Sequence, residues 1–191
     1  MKKTIMILFC AALLYGCKKD VNACKDYKQL SGKEELIDVN TIDVPEFKAI
    51  LLQYPQLQPY RFKNEQGFAT MKCKAFYKGL PVFTDYYNVT KNSSPNSVYI
   101  TDTVKAYNLP VALEPGISYM DAIKESRKVM NFDHTCISYC LGIYNVNAFS
   151  RYSPDNYVLV WKIEGRNNYP YVVIDAQTRQ IYQSVDGIII D

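Results

Sequence analysis

The sequence predicts an α+β protein made of two tandem units, each a helix followed by antiparallel strands. Three observations carry this expectation. Helix-spaced apolar residues occur twice, around residues 43–51 and 118–130. Each helical stretch is followed by runs rich in β-branched and aromatic residues. Short turn-rich gaps separate these runs, and antiparallel pairing tolerates such short connections whereas parallel pairing does not.

In the first unit, Asp43-Val44-Pro45-Glu46 reads as a helix start, with Asp43 as cap and Pro45 in the first turn. Phe47, Ile50 and Leu51 follow at helical spacing, and Pro55 and Pro59 end the helix. Met71, Cys73, Ala75 and Tyr77 alternate with Lys72 and Lys74, as a half-buried strand requires. Val82 to Val89 and Val98 to Val104 are two further strands around the turn Asn92-Ser93-Ser94-Pro95-Asn96.

In the second unit, Ser118-Tyr119-Met120-Asp121 predicts a capping box. Tyr119, Ala122, Ile123, Ser126, Val129 and Met130 fall on one helix face. Strands are expected over 136–149, 157–163, 171–175 and 181–185, with a turn over 165–168.

The N-terminus concerns export rather than fold. Lys2 and Lys3 precede an apolar run, Ile5 to Leu14, that is too short to span a bilayer. Leu14-Tyr15-Gly16-Cys17 then resembles a bacterial lipoprotein signal. That resemblance implies a signal peptide over 1–16, lipidation of Cys17, and a lipidated terminus and tether over 17–40. Several acyl chains on one cysteine anchor a protein stably, at about 0.8 kcal/mol per buried methylene. The expected location is the cell envelope, on a bacterial membrane and more specifically the outer one.

Loss of Lys2 and Lys3 from the 22 basic residues leaves 20 against 19 acidic ones, a net charge of +1. Nucleic-acid binding, which needs a concentrated basic face, is not expected. Outside the signal and the lipid site, Cys24, Cys73, Cys136 and Cys140 remain. An even number of thiols in an oxidising compartment makes all four candidates for disulfides, in any of three pairings. No CxxC pair is present, and neither a metal nor a cofactor is expected.

The break in "KAFYKGLPVF", residues 74–83, carries a family resemblance. Tyr77-Lys78-Gly79-Leu80-Pro81-Val82-Phe83 resembles the signature of the fungalysin/thermolysin propeptide domain. Pro115-Gly116-Ile117-Ser118 with Asp121-Ala122-Ile123, and Trp161 followed by Val173-Ile174-Asp175-Ala176-Gln177-Thr178, resemble the PepSY domain that follows it in such propeptides. The resemblance covers roughly residues 44–187. It implies tandem cystatin-like units over 41–112 and 113–191, with Tyr77, Gly79, Pro81, Ser118, Trp161 and Asp175 as structural motif residues. It departs at Arg179, where the family has glycine, and this puts the form of that turn in question.

In that family the region precedes a zinc peptidase, helps it fold and inhibits it. This chain has one His and cannot form H-E-x-x-H. His134, two residues before Cys136, would share its strand face; without an orienting group the pair reads as structural. The expectation is a non-enzymatic, membrane-anchored protein-binding module, an inhibitor or folding helper of a secreted metallopeptidase. The alternative is an envelope scaffold or a sugar- or peptide-binding lipoprotein using its tyrosine-rich strands, with 17 Tyr in the chain. The apolar segment Gly187-Ile188-Ile189-Ile190-Asp191 is read as a final strand rather than a free binding tail.

Overall fold

The computed structural model describes residues 27–93, 96–132, 136–150 and 152–187. Cys17, Cys24, His134 and residues 188–191 lie outside the described residues. Among the described residues no helix is long and apolar enough to cross a membrane.

The architecture is α+β, with two helices and nine strands in one sheet among the described residues. The first half holds α1 (Pro45–Gln53), β2 (Leu57–Glu65), β3 (Phe68–Tyr77), β4 (Leu80–Ser93) and β5 (Asn96–Ile100). The second holds α2 (Tyr119–Ser126), β6 (Ser138–Asn145), β7 (Tyr157–Glu164), β8 (Tyr171–Asp175) and β9 (Ile181–Val185). β2-β3-β4 and β6-β7-β8-β9 are antiparallel meanders. They are joined by one parallel bridge, Val82 to Ile143.

Several sequence expectations are corrected. The stretch read as tether contains a strand, β1 (Lys28–Leu30), which pairs in parallel with Ser138–Cys140 of β6. Pro59, expected to end the helix, lies inside β2; that strand is an edge, where a missing N–H costs no ladder bond. Asp43 does not cap α1. The N-cap is Val44, without a side-chain bond, and the Asp43 carboxylate accepts from Asn64 Nδ2 at 3.1 and 3.2 Å. β5 ends at Ile100, and residues 102–117 form an irregular connector. Helix α2 ends at Ser126, so Val129 is exposed rather than part of its buried face.

The motif at 77–83 is a hairpin. Lys78 (φ 49°) and Gly79 (φ 86°) are both left-handed, which is the two-residue turn whose twist matches the flanking strands. The capping box forms: Ser118 Oγ accepts from the Asp121 amide at 3.1 Å and donates to its carboxylate at 2.9 Å.

The other motif residues converge around the start of α2. Trp161 Nε1 donates to the Ile117 carbonyl at 3.0 Å. The amides of Gly116 and Ile117 donate to the Ala176 carbonyl. Asp175 Oδ1 accepts from the amides of Gln177 and Thr178 at 2.8 and 2.7 Å, and its Oδ2 accepts from Tyr182 at 2.7 Å. Burial pushes the Asp175 carboxyl up, but these bonds outweigh it and hold the group below the usual carboxylate range.

Strand alternation gives the sheet two faces. Met71, Cys73 and Ala75 of β3 and Leu159, Trp161 and Ile163 of β7 point into one continuous core with Phe47, Leu51, Ala122 and Ile123 of the helices. The connector adds Tyr107, Leu109 and Val111 to that side. The opposite, outer face carries only a small cluster around Tyr144, Val160 and Val173.

The turn in question keeps its left-handed residue: Arg179 has φ 69°. An L-residue there is strained by about 1–2 kcal/mol. Its ion pair with Glu125, at 4.0 Å and half exposed, offsets little of that. Arg179→Gly is therefore expected to raise stability by up to about 1 kcal/mol, a rise in melting temperature of about 2–4 °C, measured by thermal unfolding.

Candidate binding site

The outer face holds a cleft at the seam between β4 and β6. β4 carries a bulge: Lys74 pairs with Tyr86 but Ala75 pairs with Val82, so Phe83, Thr84 and Asp85 have no partners in β3. A bulge re-aims side chains. Here it puts Asp85 inward and Phe83 outward, and the two strands diverge on either side of their single bridge. Phe83 lies over β6, where a Cβ on Gly142 would come within 2.5 Å of its ring, so only glycine admits it. The segment after β1 closes one side, with Gly32 (φ 77°) seated against Pro81.

The cleft holds two adjoining hollows. One, of about 230 Å³, lies between the Leu30–Glu35 segment and the rings of Tyr60 and Tyr86. The other, of about 370 Å³, lies among Phe149, Tyr169 and Tyr171. Both share Phe83, Tyr86 and Lys162. Tyr86, Tyr169 and Phe149 are 50, 49 and 80% exposed, a concentration of uncovered aromatic surface. The charges here are paired: Lys74 with Glu35 at 2.6 Å, and Lys162 with Glu164 at 2.5 Å. Lys74 also lies over the Tyr60 ring at 5.1 Å, and Lys162 over Phe83 and Tyr171 at 5.8 and 5.3 Å. The Lys74 hydrogen bond lowers the Glu35 carboxyl, and burial pushes the Tyr86 hydroxyl up to about 12.

Behind the bulge is a buried polar network. Asp85 is 6% exposed. Its Oδ2 accepts from Tyr107 at 2.6 Å and Tyr157 at 2.7 Å, and Thr84 Oγ1 lies 3.1 Å from its Oδ1. Lys105 Nζ donates to Tyr157 Oη at 3.0 Å and pairs with Asp155 at 2.9 Å. Burial lowers the affinity of Lys105 for its proton, but these two bonds raise it further, so the amine stays charged. Burial and then the Asp85 carboxylate push the Tyr107 hydroxyl far up, so it remains a donor. The network ties the connector to β4 and β7.

Two of the four candidate disulfide cysteines are corrected. Cys73 and Cys140 are buried free thiols. Cys73 sits in the core and Cys140 under the cleft on the outer side of β6, so the two do not face one another. Burial raises both to about 12, which makes them poor nucleophiles. Cys136 is not among the free thiols, and Cys24 lies outside the described residues. No group of three His, Cys, Asp or Glu suited to a metal occurs among the described residues.

Of the tyrosines on or near the strands, Tyr86, Tyr144, Tyr169 and Tyr171 reach the outer face. Tyr139 and Tyr157 pack inward, and Tyr152 is 97% exposed, in neither group. Sequence reasoning missed Asp85, Lys105 and Tyr107, and the pairing of Lys74 with Glu35. The shift of alternation in β4 that turns Asp85 inward beside Val82, Tyr87 and Val89 shows in burial and not in residue type, since the buried residue at 85 is an acid.

No protein-family model and no curated protein matches the chain. Among solved structures it is similar to the C-terminal domain of Bacillus megaterium YpeB, at 13% identity and a TM-score of 0.38 over 80% of this chain. The match spans 66% of that structure's chain. At that TM-score the likeness carries no argument about function.

Two outcomes follow from this geometry. Asp85→Ala is expected to cost about 3 kcal/mol, because two tyrosine hydroxyls lose their buried acceptor; denaturant unfolding measures it. Native protein at pH 8 is expected to leave Cys73 and Cys140 unlabelled by iodoacetamide, with both labelled after unfolding, as read by peptide mass spectrometry.

Proposed function

We propose that the protein is a non-catalytic binding module of the cell envelope that presents the outer face of its sheet to a partner. The observation that supports this reading is the imbalance between the faces. Helices and connector cover the inner face, while the outer face leaves an aromatic cleft open. Uncovered aromatic surface rimmed by charge is the usual form of a recognition site.

The lipoprotein-like Leu14–Cys17 stretch supports a membrane location, with Cys17 as the anchor. The propeptide resemblance at Tyr77–Phe83 supports a secreted metallopeptidase as the partner class, which the module would inhibit or help to fold. A second reading, a ligand-binding lipoprotein that uses its tyrosine-rich strands, is favoured by the cleft itself.

Titration of residues 18–191 into thermolysin-type metallopeptidases separates these readings. Stoichiometric inhibition that Tyr86→Ala weakens supports a peptidase partner held on the outer face. Inhibition lost instead on deletion of Gly187–Asp191 moves the contact to that segment. No inhibition and no complex across several such enzymes removes the peptidase and leaves the ligand-binding reading.

A further inference from the structure

We infer that the cleft at the β4–β6 seam is a binding site for a short neutral oligosaccharide. This rests on the reading of the outer face as the recognition surface and adds the chemistry of what it takes.

The charge arrangement comes first. Both lysines of the cleft already hold a carboxylate, Lys74 that of Glu35 and Lys162 that of Glu164. The third carboxylate, Glu34, accepts from the Ser31 amide and hydroxyl. Among the described residues that line the cleft, no surplus cation waits for a phosphate, sulfate or carboxylate. What the cleft offers is closely spaced donors and acceptors of both signs, and a neutral ligand rich in hydroxyls satisfies both without stranding a charge.

The rings come second. Tyr86, Tyr169 and Phe149 present uncovered faces, and Phe83 and Tyr171 hold Lys162 between them. A pyranose has an apolar C–H face that lies on such rings while its edge hydroxyls reach Lys162, Glu164 and Asn168. Together the two hollows suit about two or three sugar units, within the range of ordinary ligand clefts.

Topology argues against the main competitor, an extended peptide. Peptides that join sheets do so at an edge, where free N–H and C=O groups are offered. This cleft crosses the interior of the sheet. Lys74 is laddered to Tyr86, Lys162 to both Cys140 and Val173, and Glu164 to both Ser138 and Tyr171. Along β7 and β8, recognition is left to side chains.

The test uses the full chain, purified in a detergent without a sugar headgroup, on an array of neutral di- to tetrasaccharides of the gluco, manno, xylo and N-acetylglucosamine series. The expected result is binding of at least one series. Tyr86→Ala and Tyr171→Ala should each weaken it about tenfold, and Lys162→Met should weaken it as well. Tyr99→Ala, an exposed ring on β5 outside the cleft, should bind as the native chain does. Absence of binding across the array, binding indifferent to the cleft variants, or selection of peptides over glycans by the same cleft would each overturn the inference. If glycans fail but a metallopeptidase complex forms and Tyr86→Ala weakens it, the outer face remains the recognition surface and only the oligosaccharide falls.

Discussion

One contact sets the shape of this molecule: the parallel bridge between Val82 and Ile143 that makes two antiparallel meanders a single sheet. Each meander is held by its own hairpins and its own helix. Neither determines where the other sits. A single bridge is weak by itself, so the seam is fixed by other means. On the inner side the common core and the Asp85 network do it; within the sheet, β1 pairs with β6 along the edge that also meets β4.

The Asp85 network shows how a polar group serves a seam. A carboxylate buried without partners is costly, so it strongly selects the arrangement that supplies them. Here the partners come from three separate places: Thr84 beside it, Lys105 and Tyr107 on the connector, and Tyr157 on β7. The connector has no regular structure, yet its position is specified, because only one path brings Lys105 and Tyr107 to Asp85. Asn145 adds a further stitch, with its amide on Thr84 Oγ1 and its side chain on Asp155.

The same divergence that needs stitching inside opens a cleft outside. The β4 bulge throws Phe83 over Gly142, and the side chains around it are too few to cover the face. The cleft is thus a by-product of joining two meanders through one bridge, lined by residues from both halves and from the N-terminal strand. A site of this kind is incomplete in either half alone.

The sequence by itself determined the local elements and their order. The Lys78-Gly79 turn, the Ser118 cap and the Asp175 turn follow from short-range chemistry, since each is closed by groups within a few residues. Helix and strand periods were equally legible, because they report which face is buried. Tertiary structure decided the rest. β1 is three residues whose neighbour, β6, lies more than a hundred positions away, so no local pattern marks it as a strand. Cys73 and Cys140 remain thiols because the fold buries them on different sides of the sheet, a relation that spacing cannot express. The cleft was legible only as an excess of tyrosine. Which of the β4 rings face outward depends on the bulge that shifts the alternation of that strand, and the bulge is a matter of register between β3 and β4.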